Sequence, residues 1–398
     1  MFGRFKYYLN FFLNLKSLYS FIFDRLIIIV SNFLKLDPPY DFERELVYDA
    51  RTDKIVAEID QTLSAKLGQK YKKYRAKWDS VFQREEIGNY IAKLVNSIFP
   101  IDKNMIIASC ADDLHNKGYS GIPEKNLSKV EIDKVLLYLE TKKMFPAHVA
   151  HRSLRKPCFK ETLCNSTNPF GSYDTQTILG SSVLAKLVGD EEIIHLVGNY
   201  FGCLPTLCNV NLYWSFVRPN SVSAGPQNYH RDVDDHKIVN IFTNLTDTFL
   251  DDGSYCHIDK THNYQSILEI FDKKIGDALP GGLNPYGRTL NPEDLFVLPL
   301  KGYSFGRLYN HLFSRNIKQL FGPAGTMRWA DGYGLHRAIP PQSQNRLLFW
   351  MTFSLNRTST ETSKVPHQKR ANYSKVRKYI ADNNVTRYVL RNVIDFRS

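Results

Sequence analysis

Beyond Gly202 the chain changes its period. The stretches 209–218 (NVNLYWSFVR), 238–244 (IVNIFTN), 254–258 (SYCHI), 326–330 (TMRWA) and 346–355 (RLLFWMTFSL) are short, rich in aromatic and β-branched residues, and separated by Gly, Pro, Asn and Asp. Alternation at period two over such lengths predicts strands, and repeated strands spaced by turns predict a β sandwich or barrel. Before Gly202 the pattern is helical. Ser128 and Glu131 form an S-x-x-E capping box ahead of an Ile132, Val135, Leu136, Leu139 face. Asp190, Glu191 and Glu192 open a second helix with an Ile193, Leu196, Val197, Tyr200 face, and Gly202 stops it. The predicted class is α+β with a mainly β core, helices packed on it and an N-terminal helical extension. Residues 264–320, which include Pro280-Gly281-Gly282, are too long for a hairpin and are read as an insertion, a lid or substrate-facing loop.

Charge separates the ends from the body. The 398 residues carry a formal +12. Residues 1–36 hold five basic residues against one acid, and 358–398 hold nine against three, so 37–357 retains only +2. A nucleic-acid-binding body is therefore not expected. Residues 1–36 form the most apolar stretch, but Asp24 and Arg25 interrupt it, which disfavours a spanning helix. Its polar residues recur at helical steps, so the reading is an amphipathic helix that either packs on the body or lies in a membrane interface. Residues 37–110 read as a helical extension, in which the basic run 69–77 is a solvated face. The six cysteines include no CxxC pair, which points to reduced thiols in a cytoplasmic setting, with peripheral membrane contact through 1–36 under the second reading.

Two histidines and a carboxylate stand out by spacing. His230 and Asp232 are two apart at the edge of a strand, so both side chains share a face. His336 follows the strand 326–330, and Arg346 comes ten residues later at the start of the last strong strand. Two neutral imidazoles and one carboxylate on one face can hold Fe(II) and leave three coordination positions for a bidentate 2-oxo acid and dioxygen. An arginine supplies a planar, permanently charged fork for the far carboxylate of such an acid.

In these motifs the stretch from about Asn116 to Asn356 resembles the phytanoyl-CoA dioxygenase (PhyH) family of Fe(II)- and 2-oxoglutarate-dependent oxygenases. The resemblance rests on Lys117-Gly118-Tyr119, on His230 and Asp232, on Asp252-Gly253-Ser254 through Thr261-His262, and on Gly325 through Asp331 to His336 and Arg346. It implies a double-stranded β-helix, a jelly-roll, cupin-like barrel, over 111–357. It also implies His230, Asp232 and His336 as metal ligands and Arg346 as the 2-oxoglutarate anchor. The activity implied is hydroxylation of a small organic or lipid-like substrate, with Fe(II), 2-oxoglutarate and O2 consumed and succinate and CO2 released. Asp at 232 implies oxygenation, since halogenating relatives leave that position open for chloride. Ala338 stands where the family often has a small hydroxyl residue. Tyr213, Ser215 and Trp350 are further candidates for contact with the co-substrate.

The competing reading is a non-catalytic double-stranded β-helix that binds a ligand or scaffolds a complex at a membrane surface. A cupin-like isomerase or a zinc hydrolase would leave Arg346 without its task. Other polar residues are expected to be structural. Asp234, Asp235 and His236 read as a charged loop, His195, His257 and His311 as surface or packing residues, and His262 as a turn residue. The segment 358–398 reads as a basic C-terminal extension.

Overall fold

The computed structural model describes residues 88–355 and 370–396, apart from 102–107, 148–155, 219–226, 233–234, 264–265, 267–314 and the single positions 90, 94, 98, 167 and 228. The expected N-terminal helix 1–36, most of the extension 37–110, His311 and most of the insertion lie outside the described residues.

Alternating side chains build two sheets. Strands β1 (Tyr119–Gly121), β2 (Phe145–Pro146), β3 (Phe170–Ser172), β4 (Thr206–Ser215), β5 (Ile238–Asn244), β8 (Met327–Asp331) and β10 (Arg346–Ser354) form an antiparallel sheet in the order β1-β8-β5-β10-β4-β3-β2. Strands β6 (Tyr255–Ile258), β7 (Ile317–Leu320) and β9 (His336–Ala338) form a smaller antiparallel sheet in the order β7-β6-β9. The long central strands carry the architecture, because β10 pairs with β4 on one side and β5 on the other along almost its whole length.

Each face of the large sheet has its own partner. Leu347, Phe349, Met351 and Phe353 of β10 join Leu212, Trp214, Val239 and Ile241 in the main core, under the helices. The residues between them face the small sheet, where Phe242, Tyr255 and Ala330 pack with Tyr119, Leu320, Leu348 and Trp350. Period two has thus sorted one strand between an apolar core and a lined interior.

The helices are α1 (Ala108–Lys117), α2 (Lys129–Glu140), α3 (Lys160–Cys164), α4 (Thr175–Gly180), α5 (Ser182–Val188) and α6 (Glu191–Phe201). The capping box at Ser128 and Glu131 is formed, and Ile132, Val135 and Leu139 of α2 are buried. Asp190 caps α6 through the Ile193 amide, and Gly202 ends it at φ 77, a left-handed conformation in which a side chain is strained. No helix among the described residues is long and apolar enough to cross a membrane.

Two features depart from the sequence reading. Residues 317–320 belong to the small sheet and not to the insertion: β7 pairs with β6 from Ile258↔Ile317 to Tyr255↔Leu320. Lys318 and Gln319 interrupt its apolar pattern, and pairing with β6 overrides that weak local preference. Secondly, residues 370–396 of the basic C-terminal segment contribute to the core. Strand β11 (Ala371–Asn372) pairs in parallel with β12 (Ile394–Asp395), and α7 (Tyr373–Val376) and α8 (Asn384–Leu390) lie between them. Val376, Ile380, Tyr388, Val389, Leu390 and Phe396 are buried in the main core.

Candidate functional site

The backbone brings the expected ligands together. His230 and His336 exchange backbone hydrogen bonds, His230 N–H to His336 O at 2.9 Å and His336 N–H to His230 O at 3.0 Å. Two residues on, the Asp232 amide donates to the Gly332 carbonyl at 2.8 Å. The side chains then converge. His230 Nε2 lies 3.8 Å from Asp232 Oδ1, and His336 Nε2 lies 3.8 Å from Asp232 Oδ2. One nitrogen or oxygen from each of the three residues falls within 4.8 Å of the others, and among the described residues this is the one such group with metal-binding spacing.

The electrostatics suit a cation. His336 Nδ1 lies 2.9 Å from the Gly334 carbonyl, which assigns the proton to Nδ1 and leaves the Nε2 lone pair facing Asp232. Burial, with His230 nearby, holds the His336 imidazole well below its usual pKa, so it is neutral at pH 7. Burial pushes the Asp232 carboxyl up, while His230 and the Asn240 amide oppose that rise. Asn240 Nδ2 donates to Asp232 Oδ2 at 2.6 Å, and Thr352 Oγ donates to Asn240 Oδ1 at 2.7 Å.

Arg346 occupies a second buried position on the same interior. Its Nη1 donates to the Gly253 carbonyl at 2.6 Å and its Nη2 to Ser215 Oγ at 3.4 Å, while Nε is buried without a partner. Burial lowers its pKa to about 10, with no acid among the described residues compensating, so the guanidinium is charged at neutral pH. Gly253 adopts φ +73, and a Cβ there would stand 3.2 Å from Arg346 Cδ, so both conformation and space call for glycine. Strand β6 runs from one position to the other: Gly253 precedes it, and His257 on it faces His336 in register.

The structure therefore groups the sequence candidates in two places. His230, Asp232 and His336 form the metal-like cluster, and Ser215 lies beside Arg346. Tyr213 and Trp350 pack on each other with ring centroids 4.8 Å apart, and Trp350 belongs to the apolar lining between the sheets. His262 lies in a turn, with Nε2 2.9 Å from the carbonyl of His115 on α1. His257 is fully buried, with Nδ1 3.4 Å from the Tyr255 hydroxyl. The expected charged loop is different: Asp235 and His236 are 6% and 8% exposed and lie 3.5 Å from each other. Asp234, the third member of that expected loop, lies outside the described residues. Sequence reading also missed Asn240, Thr352 and Tyr255, whose ring lies 5.5 Å from that of His336. A signal was present in IVNIFTN, where Asn240 sits in phase with Phe242 on the interior face.

No protein family and no curated protein matches the chain. Among solved structures it is similar to the non-heme alpha ketoglutarate dependent epimerase SnoN from nogalamycin biosynthesis, at 14% identity and TM-score 0.39, over 61% of this chain and 81% of that one. HygX from Streptomyces hygroscopicus, with nickel and 2-oxoglutarate bound, is similar at 13% identity and TM-score 0.36, over 62% of this chain and 86% of that one. AviO1 from Streptomyces viridochromogenes is similar at 12% identity and TM-score 0.36, over 62% and 94%. Likenesses this distant leave the site to be read from its own geometry.

Proposed function

We propose that the chain is an Fe(II)- and 2-oxoglutarate-dependent oxygenase on a double-stranded β-helix, hydroxylating a small organic or lipid-like substrate. The observation that carries this is one interior holding both a His-Asp-His cluster and a buried arginine with no acidic partner among the described residues. A buried guanidinium without a counter-charge is costly unless a ligand supplies the charge. The residues fit the group: two imidazole nitrogens and one carboxylate oxygen on one side suit iron(II) and leave room for other ligands. Once bound there, iron(II) with 2-oxoglutarate supplies dioxygen activation for substrate oxidation, with succinate and CO2 as co-products.

The chain's own residues have separate tasks. His336 is fixed as a lone-pair donor by its bond to Gly334, and Asp232 is aimed by Asn240. Arg346 would take the distal carboxylate of 2-oxoglutarate in a charge-assisted fork, with the Ser215 hydroxyl beside it. Trp350, Tyr213 and Phe242 supply aromatic lining to this region. The PhyH resemblance of the motifs supports the assignment, as does the near-neutral body between the basic ends. Peripheral membrane contact through residues 1–36 is part of the proposal.

Anaerobic addition of 2-oxoglutarate to the Fe(II)-loaded protein is expected to give a metal-to-ligand charge-transfer band. Succinate should form when oxygen is admitted, and more of it with the correct member of a metabolite and lipid panel. Asp232→Ala should abolish the band. If the band survives that substitution, or if the purified protein carries zinc in place of iron and makes no succinate, the assignment is wrong.

A further inference from the structure

Asn240 is 3% exposed and hydrogen-bonds a member of the cluster directly. It lies on β5 directly opposite Thr352 of β10, in a backbone pairing that needs no help from side chains. Yet its side chain spans outward from that pairing. Its Oδ1 accepts from the Thr352 hydroxyl at 2.7 Å, and its Nδ2 donates to Asp232 Oδ2 at 2.6 Å. Asp232 itself lies outside the strands and is tied to the sheet by its backbone bond to Gly332.

The bonds have a direction. A carboxylate oxygen accepts and does not donate, so the amide must turn its NH2 toward Asp232, and its carbonyl is then the atom left for the Thr352 proton. Flipping the amide would break both bonds. Thr352 therefore acts as a lock on the orientation of Asn240, and Asn240 as a hold on one oxygen of Asp232. The held Oδ2 lies 3.8 Å from His336 Nε2, and the other oxygen, Oδ1, lies 3.8 Å from His230 Nε2 and accepts no hydrogen bond among the described residues.

Gly332 protects this pair. A Cβ on it would lie 2.8 Å from Asp232 Oδ2 and 3.1 Å from Asn240 Nδ2. Its φ is not positive, unlike those of Gly118, Gly202, Gly253 and Gly325, so space and not backbone conformation requires glycine here. The sequence Asp331-Gly332-Tyr333 thus leaves room for a hydrogen bond to a residue from another strand.

We infer that Asn240, locked by Thr352 and given room by Gly332, is a positioning residue that presents Asp232 to the metal through a single oxygen. This rests on reading His230, Asp232 and His336 as the metal site. A carboxylate that gives both oxygens to one ion occupies a further position, so holding Oδ2 keeps that position for the co-substrate or dioxygen.

The test compares full-length wild type with Asn240→Leu, Thr352→Val, Thr352→Ser and Gly332→Ala. Three quantities are measured: the melting temperature without metal, the dissociation constant for Mn(II), and the charge-transfer band with Fe(II) and 2-oxoglutarate. Asn240→Leu is expected to weaken Mn(II) binding about 10- to 100-fold and to shift or remove the band. Thr352→Val should weaken binding several-fold and Thr352→Ser should restore it, because serine keeps the donating hydroxyl and a purely structural loss would not be rescued that way. Gly332→Ala should weaken Mn(II) binding as well. The inference is overturned if Asn240→Leu binds Mn(II) and forms the band as wild type does. It is also overturned if Thr352→Val and Thr352→Ser behave alike. Should Asn240→Leu fail to fold, the Thr352 pair decides alone. If the wild type itself binds no Mn(II) in a way that Asp232→Ala removes, the metal-site reading fails first and takes this inference with it.

Discussion

On one face of β10, Leu347, Phe349, Met351 and Phe353 are sealed at 0% exposure against the helices and neighbouring strands. On the other, Arg346 holds a buried charge, Leu348 and Trp350 line the space between the sheets, and Thr352 locks Asn240. The same backbone and the same ladder bonds support both. The outer face removes apolar surface from water and stabilises the fold, whereas the inner face keeps polar groups in places where burial works against stability. A strand read only for hydrophobicity would miss that these faces answer to different requirements.

The sharpest way to break the comparison is to damage the outer face. Phe349→Ala is expected to lower the free energy of unfolding by about 3–5 kcal/mol in urea titrations, with the Fe(II)/2-oxoglutarate band intact in whatever fraction stays folded. A loss under about 1 kcal/mol would show that this face is not a packed core. On the inner face, Arg346→Met should leave the melting temperature unchanged or raise it, because a buried unpaired charge is exchanged for an apolar chain of similar reach. Binding of 2-oxoglutarate should weaken on the order of 100-fold, as expected for losing charge-assisted bonds worth about 3 kcal/mol. A variant that destabilises the fold while binding 2-oxoglutarate normally would reverse the two roles.

A pH series separates the faces again. Burial holds His257 on the interior well below the ordinary histidine pKa. The unfolded chain takes up that proton near pH 6.5 while the folded chain does not, so the stability is fully present above 6.5 and is lost as pH falls below it. Denaturant titrations of the metal-free protein should show a decline of about 1.4 kcal/mol per pH unit for this group. His257→Phe should remove this share of the slope and leave that of His336, whose imidazole is also held low by burial, and Phe349→Ala should change neither. The smallest effect is expected from Ser215→Ala, which removes a 3.4 Å contact to Arg346 and should change 2-oxoglutarate binding by about 0.5–1 kcal/mol, read by calorimetry.

Much of this was legible because the chemistry needs particular residue types in a particular phase. His230 and Asp232 share a face by alternation alone, and Ser128, Asp190 and Gly202 mark helix ends through local backbone requirements. The strands at 238–244 and 346–354 show equally plainly, since their apolar periodicity is undisturbed. What stayed hidden depends on which strands are neighbours. The Thr352–Asn240–Asp232 connection exists because β10 lies beside β5, a fact of topology that no local window contains. Strand β7 was hidden by Lys318 and Gln319, which pairing with β6 makes tolerable. The helices and short strands of residues 370–396 were masked by their basic residues, although Val376, Tyr388 and Leu390 are apolar enough to enter the core.

The reciprocal backbone bonds between His230 and His336 bear on how the protein would handle its ion. In small metal-stapled domains the ion closes the loops that carry its ligands, so removing it unfolds the chain. Here the peptide groups already close that loop. These bonds join peptide groups and use none of the side-chain atoms of the cluster. On the proposed reading, chelation should therefore empty the site, leave both sheets standing, and allow activity to return on remetallation.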